Sequence, residues 1–348
     1  DVNAEPASAG RLMNGHFSTR LLDDHGQFRD LTASKNSSAD ISPTGGQMPR
    51  LLGLALASKL YRQNPALQQD KFKRFSVTGN EVAFGTIGDA STSEGLFWET
   101  LNAAGVLQVP MAISVWDDGY GISVPQKFQT IKHCISDALR GFEKTDQRPG
   151  YSIFTCKGWD YPALVDTYDK GVAECREKHT PVLFHIQEMT QPQGHSTSGS
   201  HERYKSKERL KWEDDFDCIR KMREWMIASA IATESELDEI DANAKAFVAD
   251  ARKRAWDAHR NSIKSELDAA SQYLDALQNL PGGETVASIR AGLHEKPDVE
   301  RRDITSALRH ALRATRGQAS PERDAAVRWL ASYDQLNTER YGSHLHSQ

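Results

Sequence analysis

Long apolar runs are missing from this 348-residue chain, and none approaches the roughly twenty residues a bilayer-spanning helix needs. That excludes a helical membrane span and membrane partners of that kind. A surplus of one charge is missing too. The 43 Lys and Arg against 48 Asp and Glu leave −5, so nothing in the global charge points to nucleic acid. Cysteine is scarce, and Cys134, Cys156, Cys175 and Cys218 have no C-x-x-C spacing. Disulfide frameworks and thiolate zinc sites are set aside, and buried free thiols in a reducing compartment are expected. The first residue is Asp1, with no signal-peptide pattern, so the chain reads as a piece of a longer polypeptide. What is present, 38% hydrophobic residues, can bury the core of one large α/β domain plus an extension.

Two apolar runs end in acid. Val82-Ala83-Phe84-Gly85-Thr86-Ile87 leads into Gly88-Asp89-Ala90-Ser91-Thr92-Ser93-Glu94-Gly95. Pro110-Met111-Ala112-Ile113-Ser114-Val115-Trp116 leads into Asp117-Asp118-Gly119-Tyr120-Gly121-Ile122-Ser123. Between them Leu96, Phe97, Thr100, Leu101, Ala104 and Leu107 share one helical face. A strand–helix–strand unit delivers both carboxyl ends to one sheet edge, where open α/β sheets bind ligands. Asp89 and Asp118 would thereby come side by side. Two hard oxygen donors suit Mg²⁺, which commonly keeps a phosphate as partner. Ser91, Thr92 and Ser93 can cap the following helix, whose free N–H groups attract an anion. The plainer alternative is that Asp89 only caps a helix and Asp117-Asp118-Gly119 only makes a turn.

Elsewhere, residues 1–40 read as loops. Gln47 to Arg62 is apolar almost all round and is expected to be a buried helix. Lys127 to Arg148 reads as a surface excursion or short helices. Ser152–Cys156 is a strand, Tyr161–Lys178 a helix, and Val182–Ile186 another strand, with His185 in it expected to be a satisfied core or edge histidine rather than a catalyst. Alternating helix and strand predict an α/β fold, doubly wound around a mainly parallel sheet with flanking helices. The polar segment Gln191–Lys207, carrying His195 and His201, is long for a connection and reads as a functional loop. From Leu210 the pattern is helical. The stripe Leu237, Ile240, Ala244, Phe247, Val248, Ala251, Ala255 is expected to pack on its own chain, a coiled-coil or partner surface being the alternative. Shorter helices follow at 303–316 and 321–336. The expected organisation is an α/β domain at 1–230, a helical extension at 231–280 and a helical connector at 281–348.

Gly88-Asp89-Ala90, Thr92-Ser93-Glu94-Gly95, Asn102 and Gly119-Tyr120-Gly121-Ile122-Ser123-Val124-Pro125 together resemble the thiamine-diphosphate motif of 2-oxo acid dehydrogenase E1 components. The match is to the α subunit or the α-like half of a fused E1, in the branched-chain (2-oxoisovalerate) and pyruvate branch. Gly10–Phe17, Ile41–Pro49, and Gly194–Ser198 with Arg203–Lys207 resemble further segments of that family in the same order.

The resemblance implies that Asp89, Asp118 and the backbone carbonyl of Tyr120 ligate Mg²⁺. It places Ala90 and Ser91 along the diphosphate, His195 near diphosphate and reaction centre, and Thr44 where the bent cofactor is supported. Ser42 and Gln47 match a loop that holds a structural K⁺ in some relatives, and Ser196 matches a serine phosphorylated in some. Implied partners are an E1 β subunit or β-like half, an E2 lipoyl acyltransferase and a 2-oxo acid, in a homodimer or α2β2 assembly. The implied compartment is bacterial cytoplasm, or the mitochondrial matrix in relatives there. The departures are Ala90 for the usual Gly, Asp118 for the usual Asn, and Trp116 for an arginine on the diphosphate. The family's Tyr-Arg pair is expected before residue 1, and its β-half glutamate has no candidate after residue 280. Three readings follow: an E1 α-like catalytic region active only with a β half, a cofactor-impaired structural or assembly subunit, and an unrelated Mg²⁺–phosphate enzyme.

Overall fold

The computed structural model describes residues 18–23, 25–38, 41, 43–191, 193–195 and 200–341. Residues 10–17, Ser42 and residues 196–198, to which the sequence assigns roles, lie outside the described residues. The chain divides into two units, residues 1–233 and 234–348.

In chain order the first unit runs α1 (Met48–Gln63), β1 (Ala83–Gly88), α2 (Gly95–Leu107), β2 (Met111–Trp116), β3 (Tyr120–Gly121), β4 (Val124–Pro125), α3 (Ile135–Ala138), β5 (Ser152–Lys157), α4 (Tyr161–Lys178), β6 (Val182–Gln187), α5 (Lys207–Asp215) and α6 (Cys218–Ala228). The main sheet has the order β1-β2-β6-β5 and every neighbouring pair is parallel. β3 and β4 form a separate antiparallel hairpin.

Burial on both faces accounts for the continuous apolar runs of the central strands β2 and β6, while the edge strand β1 is only partly buried. On β2, alternate residues serve opposite layers. Met111, Ile113 and Val115 join Leu51, Ala55, Phe97 and Leu101 of α1 and α2, whereas Ala112 joins Cys175 of α4 and Phe184 of β6. The sheet is therefore covered on both faces, which is the doubly wound arrangement expected. α1 differs from expectation. Only Met48, Leu51, Ala55 and Ser58 are buried, while Leu54 and Leu60 are 49% and 45% exposed, because the sheet and α2 cover one side of the helix alone. Cys156 and Cys175 are buried and all four cysteines are free thiols.

The second unit comprises α7 (Glu234–Leu277), α8 (Gly283–His294), α9 (Arg301–Ala314) and α10 (Pro321–Tyr341). Ile263, Ala270, Leu274 and Leu277 of α7 share one core with Val286, Leu293, Ile304, Leu308, Ala326 and Leu330 from the other three helices. The extension and connector segments thus pack together. The upstream half of α7 does otherwise: Ile240, Phe247 and Val248 are 62–67% exposed. The stripe expected to pack on its own chain is open, because α8, α9 and α10 bury only the downstream turns. Among the described residues no helix is long and apolar enough to cross a membrane.

The start of α9 is closed by a capping box in which Glu300 accepts from the N3 backbone while Asp303 accepts from the Glu300 N–H. Replacing Glu300 by Ala removes half of it and is expected to cost the helical unit about 0.5–2 kcal/mol, read from urea unfolding. An unchanged midpoint would show the cap to be idle.

Candidate functional site at the carboxyl edge of the sheet

β1 and β2 run in register to Gly88 and Trp116, so their first acidic residues emerge together. The Asp89 N–H donates to the Trp116 carbonyl at 3.1 Å, and the Asp117 N–H to the Ile186 carbonyl of β6 at 2.9 Å. Asp89 is 2% exposed. Its side chain caps nothing, and its Oδ2 has no hydrogen-bond partner among the described residues. Burial, reinforced by the charges of Asp117 and Asp118, pushes the Asp89 carboxyl up to about 8. A buried carboxylate oxygen without a donor is costly on its own and is relieved by a cation.

The second acidic pair is built as a turn. Asp117 Oδ1 accepts the Gly119 N–H at 2.9 Å, and Asp118 Oδ1 accepts the Tyr120 N–H at 3.1 Å. Burial alone would raise Asp117, but donors from His185 Nε2 and Gln126 Nε2 outweigh it and hold the carboxyl below its ordinary value. Asp118 is raised by burial, against the Tyr120 N–H and the nearby Lys205 charge. The plainer sequence reading is therefore half met. Asp117-Asp118-Gly119 does make a turn, whereas Asp89 is not a cap.

Behind the turn, Lys205 Nζ is gripped by both carboxylate oxygens of Glu213 at 2.7 and 2.9 Å, with the two side chains 1% and 3% exposed. Arg209 Nε donates to the same Glu213 and its Nη2 to the Asp118 carbonyl at 2.7 Å. Both cations lie over the Tyr120 ring, at 5.1 and 5.5 Å from its centroid. Lys205 is thus committed to Glu213. Sequence reading passed over Arg209 and Glu213; their i, i+4 spacing on a helix was the available signal.

The remaining residues singled out fall as follows. The Ala90 methyl faces Gly121, where a Cβ would come within 2.7 Å of it, so the absent side chain at 121 makes room for the extra methyl at 90. Ser91, Thr92 and Ser93 do not cap α2, whose N-cap is Glu94. Instead the Thr92 hydroxyl donates to the Asp89 carbonyl and Ser93 to the Gln129 carbonyl. Thr44 is exposed; its neighbour Gly45, at φ +73°, leaves only 3.1 Å between a built Cβ and Glu94, which brings that loop to the start of α2. The Gln47 amide donates to the Ile41 carbonyl. His195 is exposed and makes no hydrogen bond to Asp89 or Asp118 among the described residues. The Trp116 indole N–H donates to Ser114 Oγ at 3.0 Å.

Among the described residues no cluster of three His, Cys, Asp or Glu side chains forms a complete metal cage. Two carboxylates and a carbonyl nonetheless fit Mg²⁺, which retains waters and takes phosphate oxygens. The unpartnered Asp89 Oδ2 supports that fit. The proton on Asp89 must leave when a cation enters, so Mg²⁺ affinity is expected to rise about tenfold per pH unit up to about pH 8 and to level off above it. Calorimetry at several pH values, in buffers of different ionisation enthalpy, reads both affinity and proton release. A flat profile would mean Asp89 is already ionised.

A doubly wound parallel sheet with a buried acidic pair at its carboxyl edge places the chain among α/β proteins that take ligands at that edge. The chain belongs to the Dehydrogenase E1 component family, whose model matches residues 12–264. It is 24% identical over 207 residues to the pyruvate dehydrogenase E1 component subunit alpha of Rickettsia bellii, covering 60% of this chain and 56% of that protein. Identity to the 2-oxoisovalerate dehydrogenase subunit alpha of Bacillus subtilis is 31% over 139 residues, 40% of this chain and 33% of that one. Identity to the 3-methyl-2-oxobutanoate dehydrogenase subunit alpha of Mycobacterium tuberculosis is 28% over 217 residues, 62% of this chain and 52% of that one. The matches span about half or less of each relative's length.

Proposed function

We propose that this chain is the α-like region of a 2-oxo acid dehydrogenase E1, acting on a branched-chain 2-oxo acid or pyruvate and passing the acyl group to lipoamide on an E2 partner. The observation that carries the proposal is the buried Asp89 carboxylate, whose Oδ2 has no partner among the described residues, beside the Asp117-Asp118 turn in a chain of this family. Thiamine diphosphate, when bound, supplies the electron sink for decarboxylation. Asp89, Asp118 and the Tyr120 carbonyl would hold its Mg²⁺, with Ala90 and Ser91 along the diphosphate and Thr44 under the bent cofactor. His195 would serve there as hydrogen-bond donor or proton carrier. Ser42 and Gln47 would form the K⁺ loop. Arg209, through the Asp118 carbonyl, keeps the turn in place. The β subunit or β-like half would supply the remaining acid–base group. The α/β unit carries this chemistry, and the helices after residue 230 serve as extension and connector towards the β-like half.

A cofactor-impaired structural subunit is the second reading. It is favoured by Lys205 being tied to Glu213 and by the Trp116 indole turned to Ser114, neither offering a charge to a diphosphate. Calorimetric titration of thiamine diphosphate with and without Mg²⁺ into the protein with its β half separates the two. Magnesium-dependent binding, followed by lipoamide-dependent decarboxylation of a panel of 2-oxo acids, supports the catalytic reading. No binding to that assembly establishes the structural one. The chain without a β half is expected to bind weakly and turn over nothing.

A further inference from the structure

We propose that His185 is a positioning residue of the metal-binding turn: it anchors Asp117, and Asp117 in turn holds the backbone that presents Asp118 and the Tyr120 carbonyl. This rests on the reading of the carboxyl edge as a Mg²⁺ site.

His185 stands in the middle of β6, 0% exposed, among Val182, Leu183, Phe184 and Ile186, which are all 0–2% exposed. A leucine would serve such a strand position for packing alone. An imidazole there is a polar group in a dry core, and it persists only if both ring nitrogens are used. Both are. Nε2 lies 2.8 Å from Asp117 Oδ2, and Nδ1 lies 2.9 Å from Ser136 Oγ at the head of α3.

The Asp117 carboxylate is then a bridge with two ends. One oxygen faces His185 and Gln126 Nε2 at 2.8 and 2.6 Å. The other accepts the N–H of Gly119, the residue between Asp118 and Tyr120. Gly119 is at φ +80°, one of several conformations open to a glycine, and the Asp117 carboxylate holds it there by accepting its N–H. The backbone of Asp117 is pinned to the same region, its N–H on the Ile186 carbonyl and its carbonyl accepting from Met189. Removal of the Nε2 donor leaves a 7%-exposed carboxylate short of a partner, and the carboxylate has to rotate away from the Gly119 N–H or draw water in. Among the described residues the imidazole reaches the proposed ligands through this bridge.

The two nitrogens allow a sharp test on the full chain. The probe is Mn²⁺ alone, followed by the electron paramagnetic resonance signal of the free ion. Wild type is expected to bind Mn²⁺, and Asp89→Asn to lose that binding, which locates the site. His185→Gln places an amide N–H where Nε2 stands and is expected to stay close to wild type. His185→Asn mimics only the Nδ1 side and is expected to weaken Mn²⁺ binding about tenfold or more. His185→Leu carries the same expectation with a different folding risk, and near-UV circular dichroism checks that each variant keeps its packing. Equal Mn²⁺ affinity in wild type, His185→Asn and His185→Leu overturns the proposal and leaves the metal site standing. Equal loss in His185→Gln and His185→Asn overturns it too, because a general packing defect would then suffice. Wild type without Asp89-dependent Mn²⁺ binding overturns both the site and the proposal.

Discussion

Asp89→Asn is expected to abolish magnesium-dependent binding of thiamine diphosphate, a loss of about a hundredfold or more in affinity, while leaving the metal-free fold at least as stable. The two halves of this result have one cause. Asp89 is buried with an unpartnered oxygen beside two other acids, and its folded-state value, pushed up to about 8, lies far above the ordinary 3.8. A group raised in this way favours the fold while protonated and loses that contribution as pH climbs towards 8. An amide carries no such titration. The advantage of the variant over wild type in thermal unfolding should therefore be larger at pH 9 than at pH 5. Binding lost together with stability at both pH values would mark Asp89 as a fold residue. Binding retained would remove it from the site.

Glu213→Gln is expected to destabilise the α/β unit by about 3–5 kcal/mol, because it strands the Lys205 ammonium inside the protein. Lys205 and Glu213 are 1% and 3% exposed, and Glu213 also receives Arg209. The double variant Lys205→Met/Glu213→Leu should regain most of the loss, since apolar side chains of similar bulk need no counter-charge there. Urea unfolding followed by tryptophan fluorescence measures both. A shift under about 1 kcal/mol in the single variant would show that water reaches the pair, as at a surface ion pair. Arg209 couples the two effects, because the guanidinium that loses Glu213 is the one that holds the Asp118 carbonyl.

The strands and helices of the α/β unit were legible in the sequence because each carries its own period. Parallel strands read as apolar runs, Ala83–Gly88 at the edge of the sheet and Met111–Trp116 within it, and acid follows immediately where the chain leaves the sheet. That Asp89 comes to the Asp117-Asp118 turn was legible for the same reason: two strands in parallel register end together. The Ser91–Ser93 caps failed, because a short 3-10 turn at Ala90–Ser93 intervenes and moves the N-cap to Glu94. The α7 stripe failed in another way, since periodicity reports that a face is apolar and is silent on what covers it.

Family membership, the parallel sheet and the acidic edge are thus properties of the sequence by itself, because they depend on local periodicity and on neighbours a few residues apart. The tertiary structure alone decided which carboxylate keeps an oxygen without a donor among the described residues, which is held by a histidine and which cation is already spent. Asp117 meets His185 across 68 positions of sequence and Arg209 meets Asp118 across 91, and no local pattern encodes contacts of that range. They arise when β6 pairs with β2 and α5 settles behind the turn, and burial then turns ordinary acids into a site.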